Sequence, residues 1–416
     1  MLQIPRRRRS SCRRGLQTPQ APPLSEADIE EQSVFTPACS FSMYGESYSG
    51  YRPGGYHPVS MGDTFKDGRY VVTHKLGWGD SSTVWLVRDA FLDRWVALKI
   101  LIAKLSTSRQ PVAATKALCR RKDTAELVPA LYDSFFHEGP NGVHLCLVME
   151  LLGPTLCNLI TYFTDMCDRI HPEDVLRLTR QILSGVATFH GAGIARGNLN
   201  ASNLVFTIRN LVDDDALFEA LGGKSLTMEL ARRDGAPLTA HMPRQFLNLP
   251  SWSDWIDEDE EDLRFVGVDD WFRTTDRMPS SDAVRGVFPA PEVLFEEMYD
   301  YRADLWYAGC TIYELLFQDC PFMYMGHDQL YVTQMIGFVE GLPPEWEPAW
   351  RCIRATSAPP PEHLLRHHSP TVSVEQRFKN KVLEPELTQL LPVIRGLLRF
   401  RPQDRISARQ ALALLL

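Results

Sequence analysis

A change of period partway along the sequence predicts an α+β fold of two lobes, a small β-rich N-lobe and a larger helical C-lobe. Up to about Gly153 the apolar residues alternate or cluster in short runs between turn residues: RYVVTHKLGWG, STVWLVRDAF, RWVALKILIA and LCLVMELLG. That is the pattern of strands. Beyond it they recur at helical spacing, clearest in DVLRLTRQILSGVATFH, where Val175, Leu178, Ile182, Val186 and Phe189 make one stripe. A chain of 416 residues with 44% hydrophobic content can bury two such units.

Residues 1–50 open with MLQIPRRRRSSCRRGLQTPQAPPL, rich in Arg, Ser and Pro and without an acidic residue before Glu26. Such a composition builds no core, and the stretch reads as a disordered tail. A nuclear-import patch, a mitochondrial transit peptide and a plain solvated tail all fit it. Residues 51–153 then form the N-lobe and 154–416 the C-lobe. Residues 207–262 interrupt the C-lobe as a polar insertion ending in DWIDEDEEDL, a run of carboxylates that no core absorbs unpaired. RADLWYAGCTIYELLF and LTQLLPVIRGLLRF read as buried helices, and the chain closes on ARQALALLL.

The net charge of -8 argues against a general polyanion binder, so no direct nucleic-acid binding is expected. Nine cysteines are scattered without a CxxC pair, which speaks against structural zinc and a disulfide framework and favours a reducing compartment. No apolar run approaches membrane-spanning length. The expectation is a soluble monomer, cytoplasmic, nuclear or both, with a mitochondrial address left open by the basic tail.

Two motifs point to nucleotide chemistry. Leu76-Gly77-Trp78-Gly79-Asp80-Ser81-Ser82-Thr83-Val84 sits at a strand-turn-strand, where residues without a Cβ let backbone amides approach phosphate. Alone it is equally a plain hairpin turn. Val96-Ala97-Leu98-Lys99-Ile100 follows on the next strand; a lysine flanked by apolar residues needs an anionic partner, which phosphate supplies.

RPGGYHPVSMGD ahead of KLGWGDSSTVWLVRD resembles the entry to the SR-protein kinases, serine/threonine kinases that phosphorylate Arg-Ser-rich splicing factors, with the fungal-type members most similar. The resemblance runs from about Tyr51 to Leu416 and includes an insertion where that family carries a spacer. It implies a bilobal protein-kinase-like fold, ATP and Mg²⁺ as cofactors, and protein clients, possibly Arg/Ser-rich. Ala97, Lys99, Glu150 and Leu152 join the glycine-rich turn as nucleotide contacts. Pro289-Ala290-Pro291-Glu292, Asp304-Leu305-Trp306 and Arg405 resemble the family's structural landmarks, with Arg405 expected to pair with Glu292. The carboxylates Asp257 to Asp262 either face solvent or attract basic clients.

Against that resemblance the catalytic pattern is broken. In the loop Arg196-Gly197-Asn198-Leu199-Asn200-Ala201-Ser202-Asn203, Asn203 falls on the metal-binding asparagine. Asn198 replaces the catalytic aspartate, and an amide accepts no proton as a carboxylate does. Arg196 stands where the family has histidine, and Asn200 where many kinases have a basic residue. In LRFVGVDDWF the natural register puts Gly267 on the metal-binding aspartate, with Asp269, two residues on, as the one rescue by re-threading. The helix QPVAATKALCRR offers only Ala114 or Thr115 where a glutamate would meet Lys99. The expectation is a nucleotide-binding or scaffold pseudokinase; the alternative is a genuine low-activity serine/threonine kinase with a rearranged metal loop.

Overall fold

The computed structural model describes residues 46–107, 110–209, 213–223, 227–252, 261–267, 271–280, 288–322, 324, 326–356 and 372–415, and the backbone of 35–36. The N-lobe is one antiparallel sheet of six strands. Their spatial order is Thr64–Phe65, Tyr70–Gly79, Ser82–Asp89, Arg94–Leu101, Gly142–Met149 and Leu131–Gly139. Its inner face carries Tyr70, Val72, Trp85, Val87, Val96, Leu98 and Val148: alternate positions of each strand project to one side. The helix Gln110–Arg120 sets Val112 against Leu101, Leu145 and Leu147 on the sheet's other side.

In the C-lobe the helix Pro172–Gly191 starts on Pro172 with Glu173 and Asp174 in its first turn, favourable for a missing N–H and for the helix dipole. Its predicted stripe of Val175, Leu178, Ile182, Val186 and Phe189 is buried. The helix Ala303–Phe317 is buried on nearly every face, which accounts for its apolar run lacking amphipathic spacing. No helix among the described residues is long and apolar enough to cross a membrane.

Two boundaries differ from expectation. Ordered packing begins by Glu46 rather than after residue 50: Glu46 and Tyr48 are buried, and Phe35–Thr36 pairs with Ala231–Arg232. The carboxylate is tolerated there because Lys75 and the Tyr51 hydroxyl both bond to it. The rest of the basic tail lies outside the described residues. The insertion, for its part, carries buried residues. Its helix Asp214–Ala220 places Leu217 in the main core with Leu221 and Trp252, Leu247 joins the N-lobe core, and Leu230 packs with Tyr48, Tyr51 and Tyr56. Widely spaced apolar residues among polar ones hid this burial. Glu261, in the acidic run, is buried against the Thr207 hydroxyl, and Asp262 pairs with Arg209 at 2.8 Å; residues 257–260 lie outside the described residues.

A histidine cluster stitches the N-terminal segment to the outermost hairpin. The His57 ring lies 4.7 Å from His137 and 5.0 Å from His144, centroid to centroid, and the last two face each other across the hairpin. Burial, then repulsion from His137 and His144, lowers the His57 pKa to about 3. Burial also lowers His137, against the pull of Asp63, and His144. Because the folded pKa lies below the ordinary value of about 6.5, the unfolded chain binds more protons below that pH. Stability is therefore full above about pH 6.5 and falls on acidification. His57 alone contributes a loss of about 2–3 kcal/mol between pH 6.5 and 4.5. Urea midpoints across that range should drop in the wild type and drop less in His57→Gln.

Candidate active site

The glycine-rich turn is a tight hairpin: Gly77 pairs with Val84, Trp78 with Thr83 and Gly79 with Ser82, leaving Asp80 and Ser81 at the tip. A Cβ added at Gly77 or Gly79 would meet no atom within 4 Å, so the space beside the turn is open to a ligand. Ala97 and Lys99 lie on the neighbouring strand, where Lys99 pairs with Val84 and with Leu147. Glu150 does not turn toward that space. Its carboxylate accepts from the Ala130 amide at 3.1 Å and lies 3.9 Å from Arg264, so the connecting segment offers a nucleotide backbone groups rather than this side chain. Leu152 is buried beside it. In the helix Gln110–Arg120, Thr115 is buried and Ala114 half-buried.

The catalytic-loop region is held from below by Asp304. Its carboxylate accepts from the Arg196 and Gly197 amides at 2.8 Å each and lies 3.0 Å from His190 Nε2. The other landmarks are equally in place: Arg405 meets Glu292 in two parallel bonds of 2.7 and 2.5 Å. The scaffold of the loop is thus present.

The loop's own side chains bond to one another. Asn200 caps the turn Ala201–Asn203, its Oδ1 accepting from the Ser202 and Asn203 amides, while its Nδ2 donates to Asn198 Oδ1 at 2.9 Å. One of the two lone pairs of the Asn198 amide oxygen is thereby taken. Asn203 donates through Nδ2 to the Asn198 carbonyl at 3.0 Å. That leaves its Oδ1 toward Gly267, 3.5 Å from where a Cβ would stand.

Gly267 follows the strand Leu263–Phe265, which pairs with Leu204–Phe206 immediately after Asn203. This register brings Gly267 and Asn203 together, as the sequence predicts for the metal-binding pair. The Arg196 guanidinium is the third group there, 3.6 Å from the position of the same absent Cβ, donating to the Val266 carbonyl. Asp269 and Asp270 lie outside the described residues. Mg²⁺ wants several hard oxygen ligands, carboxylates above all. Among the described residues the site offers one amide oxygen as a ligand beside a guanidinium, which cannot ligate a cation, and no cluster of three acidic, His or Cys side chains suits a metal. This donor set does not fit Mg²⁺.

Six antiparallel strands over a helical lobe, with a glycine-rich hairpin in the sheet and a loop anchored on Asp304, define a protein-kinase fold. The protein kinase domain family matches residues 274–414. A solved structure, the PF14_0431 kinase domain, superposes with a TM-score of 0.61 over 87% of this chain and 99% of its own at 17% identity, a likeness of fold. The serine/threonine-protein kinase SKY1 of Saccharomyces cerevisiae is 33% identical over 209 residues, 48% of this chain and 27% of SKY1. The serine/threonine-protein kinase SRPK of Physarum polycephalum is 28% identical over 317 residues, 68% of each chain. Human SRSF protein kinase 3 is 38% identical over 146 residues, 34% of this chain and 25% of that kinase. The chain thus carries a protein kinase domain and is similar to kinases that include SRPK and SRSF protein kinase 3. Its match spans about a quarter of the length of the yeast relative. Protein kinase domains in general use ATP and Mg²⁺.

Contacts that sequence reasoning missed lie around the glycine-rich turn: the buried Glu46–Lys75 pair and the Tyr56 hydroxyl, which donates to the Gly79 carbonyl at 3.1 Å. RPGGYHPV singled out the segment holding Tyr56, but no spacing rule says what its tyrosine touches.

Proposed function

We propose that the chain is a pseudokinase of the SR-protein kinase family, a nucleotide-binding or scaffold protein impaired in phosphoryl transfer. The observation that carries this reading is Gly267 facing Asn203 Oδ1, with a guanidinium where a metal-binding carboxylate would begin. Loss of the base costs roughly 10²–10⁴-fold in rate on its own, and loss of the main metal ligand compounds it. The open space beside Gly77 and Gly79, with Lys99 on the adjoining strand, supports retained affinity for a nucleotide's phosphates.

Its partners on this reading are proteins, Arg/Ser-rich clients first, met by a monomer in the cytoplasm, the nucleus or both. Transfer of labelled phosphate from ATP to an Arg-Ser-rich peptide tests the reading. The wild-type protein should label the peptide at least roughly 10²–10⁴-fold more slowly than a typical kinase, and turnover at ordinary kinase rates would restore the enzyme.

A further inference from the structure

The glycine side of the hairpin, Gly77 to Gly79, has little side-chain packing of its own to hold it in one pose. Gly77 and Gly79 bring no side chains, their Cβ directions are empty, and Trp78 is 40% exposed. An arm so poor in packing opens locally at little cost. The Ile102 amide holds the tip through the Ser81 carbonyl at 2.9 Å, and the Gly79 carbonyl is reached by the segment before the sheet. Resting on the nucleotide-binding reading above, we propose that Tyr56 is a positioning residue for this turn, its hydroxyl tying the Gly79 carbonyl to a rigid strap of residues 46–57.

The strap is itself well anchored. The Tyr56 ring is wedged against Gly50, where a Cβ would come within 2.3 Å of it, and the Tyr56 amide donates to the Gly50 carbonyl at 2.9 Å. Gly54 and Gly55 accept from Lys104 and Ala103 at 2.8 and 3.0 Å, just beyond the lysine strand. Asn141, at the tip of the outermost hairpin and buried, donates to the Tyr56 carbonyl at 2.6 Å and to the His241 carbonyl at 3.0 Å, while its Oδ1 lies 2.7 Å from His241 Nδ1. The insertion, the hairpin tip and the strap thus converge behind Tyr56.

Consequences for the turn follow from peptide geometry. The Gly79–Asp80 unit is planar and trans, so holding its carbonyl toward Tyr56 aims the Asp80 N–H the opposite way. A turn whose amide orientation is fixed offers phosphate a pre-oriented donor; one free to swing loses part of its affinity to ordering. Burial, then the nearby Glu46 and Asp80 carboxylates, raises the Tyr56 pKa to about 12. Its hydroxyl therefore keeps its proton, and the bond, across the physiological range.

Tyr56→Phe keeps the ring and removes only the tie. Hydrogen–deuterium exchange of the unliganded protein should then speed up about fivefold at residues 77–82, the worth of one such bond, with the rest of the sheet unchanged. In calorimetry, ADP should bind Tyr56→Phe about fivefold more weakly than wild type, while adenosine, which has no phosphate for the turn, binds both alike. Unchanged exchange at 77–82 overturns the proposal, and so does an equal loss for adenosine and ADP, which would make Tyr56 merely structural. A wild-type protein that binds neither ligand sinks the nucleotide reading, and the tie is then judged on exchange alone.

Discussion

Arg405→Ala is expected to cost about 3–5 kcal/mol of folding free energy, a large share of the 5–15 kcal/mol by which domains are stable. Both members of the Arg405–Glu292 pair are buried, with 0% and 1% of their side chains exposed. Arg405 also donates to the carbonyls of Arg302, Arg399 and Phe400 at 2.9, 3.0 and 3.2 Å, and its guanidinium lies 5.5 Å from the Trp306 ring centre. Removing it strands the Glu292 carboxylate in the C-lobe core and takes a donor from three carbonyls at once. Lysine cannot repair this, since one ammonium does not reproduce a planar fork. Urea unfolding of Arg405→Ala, Arg405→Lys and the double Glu292→Gln/Arg405→Met checks the account. The first should be crippled, the second little better, and the double variant more stable than Arg405→Ala. A loss below about 1 kcal/mol in Arg405→Ala would be the value of a surface pair and would contradict the burial.

Lys75→Met should be nearly as damaging, at about 3 kcal/mol, for the same reason. Lys75 bonds to Glu46 with 2% and 0% of the two side chains exposed, and Tyr51 donates to the same carboxylate. Burial first, and then Glu46, raises the Tyr51 pKa well above its ordinary value, so the phenol stays a donor. Without Lys75 the carboxylate faces one hydroxyl in a dry site, and the cheapest escape is release of the strap. Limited proteolysis should accordingly cut near residues 46–55 far faster in Lys75→Met than in wild type. Glu46→Gln/Lys75→Met removes both charges and should recover much of the loss. Equal protease resistance in Lys75→Met and wild type would show that the pair is not what holds the strap.

Both pairs show what the sequence made legible and what it did not. Glu292, Asp304 and Arg405 were readable because the short motifs that hold them resemble structural landmarks of the SR-protein kinases. The strands and the stripe from Val175 to Phe189 were readable because burial on one face imposes a period. Lys75 was not, because a lysine in an alternating strand ordinarily faces water, and its partner lies in a segment whose composition suggests disorder. The insertion's buried Leu217, Leu230, Leu247 and Trp252 were hidden in the same way: apolar residues that dock singly onto different surfaces leave no periodic trace. At the site, the residue types were visible from sequence. That Asn200 closes onto Asn198, and that Arg196 reaches Gly267, depends on loop geometry that no spacing encodes.

The proposed impairment of phosphoryl transfer is tested most directly by single-turnover transfer from labelled ATP to an Arg-Ser-rich peptide with Mg²⁺ present. Wild-type protein should show transfer at least roughly 10²–10⁴-fold below the 1–100 s⁻¹ typical of kinases. Asn198→Asp combined with Gly267→Asp and Arg196→His, which returns base, metal ligand and a smaller neighbour, should raise it measurably. Transfer by the wild type at ordinary kinase rates, abolished by Asp269→Asn, would contradict the account and place the metal site in a rearranged loop.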